Sequence, residues 1–142
     1  MSTGRLPVVL DQESFNLRFG KGTFAREQEV RTIDAIRGSL LDPHASGPEK
    51  LYVIAMDVGL EEHKALLEEQ GLLLGVVAYN AGQIGREPVR SQGHVHKPSP
   101  HNSWSPPELF EIWQGEAIVY MQESVRDNPG SCYAVRLDAG DA

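Results

Sequence analysis

The chain has 142 residues, 13 Lys and Arg against 20 Asp and Glu, a formal charge of −7 and 40% hydrophobic residues. A chain of this length buries roughly 68–70% of its unfolded surface, so a core is attainable without disulfides. The single Cys132 has no partner within the chain, in keeping with a reducing compartment. No apolar run approaches the ~18–20 residues that cross a bilayer, no signal-peptide pattern follows Met1 to Pro7, and no Lys/Arg cluster offsets the acidity. Composition therefore leads to a soluble, cytoplasmic protein that acts on a small molecule and binds neither nucleic acid nor membrane.

No repeat or linker interrupts the sequence, which reads as one domain over 1–142. Arg5 to Leu10 fits an edge strand, whereas Phe24 to Ser39 suits helix and strand alike. Leu51 to Val58, apolar and β-branched and bounded by Pro, Gly and Gly59, predicts a buried strand. Leu60, Lys64 and Leu67 recur at helical spacing, and Gly71 stands where a helix end favours a left-handed residue, so Leu60 to Gln70 predicts a short helix. Leu72 to Tyr79 predicts a strand, Asn80-Ala81-Gly82 a turn, and Val89 to His96 a second strand. Four of the nine prolines fall between Lys97 and Pro107, which makes that stretch a loop. Glu108 to Trp113, Glu116 to Gln122 and Cys132 to Leu137 complete the strands, with Asp127 to Gly130 as a turn. Strands this short, parted by frequent turns and joined by one small helix, predict an all-β fold, a sandwich or barrel.

Three of the five histidines lie between positions 94 and 101, two of them in Gly93-His94-Val95-His96. Residues two apart on a strand point to the same face, so the imidazoles of His94 and His96 would project together. Glu108 follows the proline loop, which is long enough to fold its segment back beside the histidines. Two neutral imidazoles and one carboxylate on a β scaffold form a donor set for iron, manganese, nickel or zinc, and the sequence does not choose among them. The plainer reading makes them surface histidines beside a Pro-rich loop. His44, His63 and His101 read as solvated residues. Tyr79, Trp104 and Trp113 read first as packing or anchoring residues, with the Tyr79 hydroxyl available to a cavity.

The order Gly93, His94-x-His96, a short loop, Glu108, then Gly115 resembles the first motif of the cupins. Arg90-Ser91-Gln92-Gly93-His94-Val95-His96, preceded by Val76 to Gly82 and followed by Pro107 to Ala117, is similar to the cupin-type glucose-6-phosphate isomerases. The resemblance implies a cupin double-stranded β-helix, or jelly roll, with 1–30 as an extension or edge strands and 31–142 as the core. It also implies a divalent metal held by His94, His96 and Glu108, and a homodimer that interconverts glucose 6-phosphate and fructose 6-phosphate through an enediol in glycolysis or gluconeogenesis. Glu108 would combine ligation with proton transfer, since Glu111 falls an odd number of residues along the strand and faces away.

Ser91 occupies the place of the family's phosphate-holding Thr or Ser, and Gly93 and Tyr79 join it as substrate-binding candidates. Three positions depart from the family. Gln92 replaces a basic residue, Phe110 replaces an aromatic hydroxyl, and Gly75 or Val76 stands where a Thr is expected. These changes leave the metal ligands in place and weaken sugar-phosphate recognition, so a non-catalytic sugar-binding cupin or a metal enzyme of other chemistry is the alternative. The family's second motif, which brings a fourth ligand His, would begin where this sequence stops at Ala139-Gly140-Asp141-Ala142. The resemblance thus implies a core cut short; were the sequence complete, three ligands would have to suffice, or His44, His101 or a partner chain would stand in.

Overall fold

A computed structural model describes residues 6–98, 103–124 and 127–142. Among the described residues nine strands and two short helices make an all-β, cupin-like class of fold built from antiparallel sheets. By contacts the chain divides into two units, residues 1–92 and 93–142.

The first unit is organised by β4 (Lys50–Leu60), the central strand of a three-stranded sheet ordered β3-β4-β5, with β3 at Thr23–Thr32 and β5 at Gly75–Tyr79. β4 is apolar without alternation because it packs on both faces. Val53 and Ala55 join Phe15, Leu17 and Val58 in one buried cluster, while Leu51 and Tyr52 join Ile33, Ile36, Leu40, Ala45 and Ile84 in another. Burial on both faces gives a strand a near-continuous apolar run. Phe15 and Leu17 come from the hairpin of β1 (Val8–Asp11) and β2 (Asn16–Phe19), which carries the expected edge strand. Arg5, the first residue of that expected strand, lies outside the described residues.

The ambiguous stretch from Phe24 proves to be both kinds of element. β3 runs to Thr32, and the one-turn helix α1 (Ile33–Ile36) follows, so there are two helices and not one. A 3-10 turn over Glu61–His63 leads into α2 (Lys64–Gln70). Gly71 closes α2 at φ 63, its N–H reaching the carbonyls of Leu67 and Glu68, as a left-handed cap should. Among the described residues no helix is long and apolar enough to cross a membrane.

After β5, the small hairpin of β6 (Gln83–Ile84) and β7 (Glu87–Pro88) turns at Gly85, φ 58. The strand expected over Val89 to His96 does not form. β6 is two residues long, so after the Val89 N–H reaches the Gly82 carbonyl at 3.2 Å no ladder partner remains.

In the second unit, β8 (Glu116–Gln122) and β9 (Cys132–Asp138) pair from Glu116↔Asp138 to Gln122↔Cys132. The strand expected at Glu108 to Trp113 is also missing. Pro106 and Pro107 donate no backbone hydrogen, and Gly115 takes a left-handed φ of 78. Ile112 alone is tied, donating to Asp141 O at 3.0 Å and accepting from Gly140 N at 2.8 Å, which lays the segment along the end of β9. Without a strand here, the alternation that turned Glu111 away from Glu108 does not apply.

Candidate functional site

The hydroxyl-bearing candidates belong to the first unit. Antiparallel pairing of β4 with β5 sets Tyr52 opposite Tyr79, with ring centroids 5.3 Å apart and planes at 43°. Tyr52 is a residue the sequence reading missed, although two facing strands with one aromatic each gave the signal. Burial pushes the Tyr79 phenol above its ordinary value, and the nearby Ser91 side chain acts the other way.

Ser91 leaves β7 through a charged knot that was also missed. Glu87 is buried and accepts from Leu41 N–H at 2.7 Å and from Arg90 Nε at 2.9 Å. Arg90 reaches on to the carbonyls of Ser39 and Ser91. The only sequence signal was an acid and a base three apart around Pro88-Val89. A cleft of about 440 Å³ lined by Leu41, Asp42, Ala45, Ile84, Arg86 and Glu87 lies beside this knot, and none of the predicted site residues lines it.

The metal candidates belong to the second unit. His94 and His96 stand on irregular backbone, yet their rings meet, with Nε2 atoms 2.8 Å apart, centroids at 4.8 Å and planes at 32°. Glu108 Oε2 approaches His96 Nε2 to 3.4 Å. The three side chains sit around the His96 Nε2 atom as a chain of contacts and not around a common point. Among the described residues no group of three His, Cys, Asp or Glu side chains is spaced to hold a metal ion.

The donor set nevertheless fits a divalent ion in chemistry. Ligand atoms ~2.0–2.1 Å from an ion stand roughly 3 Å or more apart, so the 3.4 Å pair is already at ligand separation and the 2.8 Å pair must open by a few tenths of an ångström. His96 and Glu108 are 31% and 44% exposed, so neither is locked in a core.

Gly93 has open space where a Cβ would stand and no left-handed φ, so local crowding does not demand glycine there. Glu111 and Phe110 are exposed. His44 is an exposed loop residue whose N–H bonds Asp42, and His63 lies 3.8 Å from Glu62. His101, expected to be solvated, falls outside the described residues.

A family model described as glucose-6-phosphate isomerase (GPI) matches residues 39–136, more than half of the chain and a span that takes in Tyr79, Ser91, His94, His96 and Glu108. No curated protein and no solved structure matches the chain.

Proposed function

The chain belongs to the glucose-6-phosphate isomerase family, and on that premise we propose that it interconverts glucose 6-phosphate and fructose 6-phosphate with a divalent ion held by His94, His96 and Glu108. The observation that carries the reading is the approach of His96 to both His94 and Glu108, at 2.8 and 3.4 Å, from positions two and twelve residues away.

Aldose-to-ketose conversion moves one hydrogen from C2 to C1 and another from the C2 hydroxyl to the C1 oxygen, with no net redox change. When bound, the ion supplies Lewis-acid polarisation of the substrate oxygens. Glu108 is the base that takes the C2 proton and returns it at C1. The motif resemblance makes Ser91 and Gly93 the phosphate-binding candidates, and the open space beside Gly93 leaves its backbone approachable. Tyr79 is the third substrate-binding candidate on the same ground.

The test is turnover by the metal-loaded chain. Conversion of glucose 6-phosphate that falls at least about 100-fold in Glu108→Gln, the loss of a general base, is expected. Sugar-phosphate binding without turnover would overturn the enzymatic reading in favour of a binding protein.

A further inference from the structure

We propose that the cleft between residues 41–45 and the β6–β7 hairpin is a binding site for a free α-amino acid with an aliphatic side chain. The cleft encloses about 440 Å³, within the range of small-molecule sites, and lies wholly in the first unit. None of its lining residues is a candidate for the sugar-phosphate chemistry, so the site is independent of that reading.

Both walls are built before any ligand arrives. Arg37 donates to the carbonyls of Pro43 at 3.0 Å and Ala45 at 3.2 Å, while its Nε donates to Asp34 at 2.6 Å. The Ala45 N–H closes a turn onto the Asp42 carbonyl at 3.0 Å, and the Gly85 N–H reaches across to the Ser46 carbonyl at 2.8 Å. The walls meet so closely that a Cβ on Gly85 would stand 2.9 Å from that of Ala45. A site fixed in this way avoids the ordering cost that binding otherwise carries.

Charge then selects the ligand. Glu87 is a buried carboxylate, but its oxygens are taken up by the Leu41 N–H at 2.7 Å and by Arg90 at 2.9 and 2.8 Å, so its charge is neutralised within the protein. Two opposite charges remain. Arg86 is exposed and has no partner among the described residues. Asp42 is exposed too, with one oxygen accepting from the His44 N–H at 2.9 Å and the other left for a ligand. A guanidinium fork is shaped for a carboxylate, and a carboxylate oxygen accepts from an ammonium. One cation and one anion in the same cleft match a zwitterion, whereas a phosphate dianion would bring uncompensated charge beside Asp42. The apolar wall sets the side chain. Leu41 is 86% exposed although Glu87 fixes its backbone, and an aliphatic group lying on it, with Ala45 and Ile84 alongside, would take it out of water.

Titration calorimetry of the full chain with L-leucine, isocaproate and isopentylamine tests this, since the three share one side chain and the last two each lack one charged group. L-Leucine is expected to bind one to one, and the other two about tenfold or more weaker, the effect of one charge-assisted hydrogen bond. Arg86→Gln should weaken leucine by the same factor. On that variant leucine and isopentylamine should differ by less than about twofold, because the group that reads the carboxylate is gone. Asp42→Asn, which keeps the acceptor for the His44 N–H, should likewise erase the difference between leucine and isocaproate. Both side chains are exposed and outside the buried clusters, so the variants fold as the wild type does. No saturable binding of leucine below about 10 mM, equal binding of the three compounds by the wild-type chain, or a leucine affinity unmoved by either substitution overturns the proposal.

Discussion

Replacing His96 with Ala separates the ion from the fold. The buried clusters of the described residues are drawn entirely from residues before position 92, and the His96 side chain is 31% exposed. The substitution therefore removes contacts to His94 and Glu108 and no core volume, a loss of about 0.5–1.5 kcal/mol. Its effect on metal is larger. Loss of a partner in the shell behind a ligand already weakens metal binding 10–100-fold, so loss of a ligand should cost about 100-fold or more, about 2.7 kcal/mol.

These figures fix a melting experiment. With Zn²⁺ or Mn²⁺ at about 100 times its dissociation constant, the wild-type site gains about 2.7 kcal/mol of stability by linkage, whereas His96→Ala at the same concentration gains only about 0.4 kcal/mol. Thermal melts of metal-stripped and metal-loaded protein measure the difference, with metal content by elemental analysis beside them. His94→Ala should behave alike, and His63→Ala, at a residue paired only with its neighbour Glu62, should melt as wild type does. An ion-dependent shift of the same size in His96→Ala and wild type would refute the ligand assignment.

Two further outcomes concern the frame. Gly71→Ala forces a side chain into φ 63 where nothing else crowds it, so its cost is conformational, about 1–2 kcal/mol by chemical denaturation, and an unchanged midpoint would show that the end of α2 relaxes. The Leu41 N–H holds the Glu87 carboxyl below its ordinary value, burial opposes this, and Arg90 adds to the lowering. A carboxylate depressed on folding lends stability above its unfolded pKa and loses it as pH falls through the folded value. The stability gap between wild type and Glu87→Gln should thus be wide at about pH 7 and shrink as pH falls below the ordinary carboxyl range in urea titrations, and a gap unchanged in acid would contradict the pairing.

What the sequence disclosed followed the range over which each interaction acts. β4 was legible because burial on both faces writes a continuous apolar run, and α2 because its spacing and its closing Gly71 are local. The His94–His96 contact was legible in position but not in its support, since residues two apart can meet on backbone that is not a strand at all. Glu108 was placed by analogy with a loop length, and the structure brings it to His96 without the strand supposed to carry it. Val89 to His96 and Glu108 to Trp113 were misread for one reason. Strand-like composition describes a segment, whereas a strand requires a neighbour with free donors and acceptors, and β6 ends too early for the first while paired prolines silence the second.

That absence explains why the knot at Glu87 and Arg90 was invisible and why it matters. A sheet would have fixed the segment through its own backbone, residue by residue. Here one buried carboxylate and one guanidinium replace the ladder, drawing on Ser39 and Leu41, which no local pattern connects with Ser91. Backbone pairing tolerates changes of side chain, but a side-chain tether does not. Substitutions at positions 87 and 90 should therefore disturb the backbone at Ser91 more than exchanges of exposed residues such as Val95 or Gln92 do. The ordering can be read from amide hydrogen exchange at Ser91 across those four variants, and a larger acceleration from Val95→Ala or Gln92→Ala than from Arg90→Lys would mean that the segment is held by its own backbone after all.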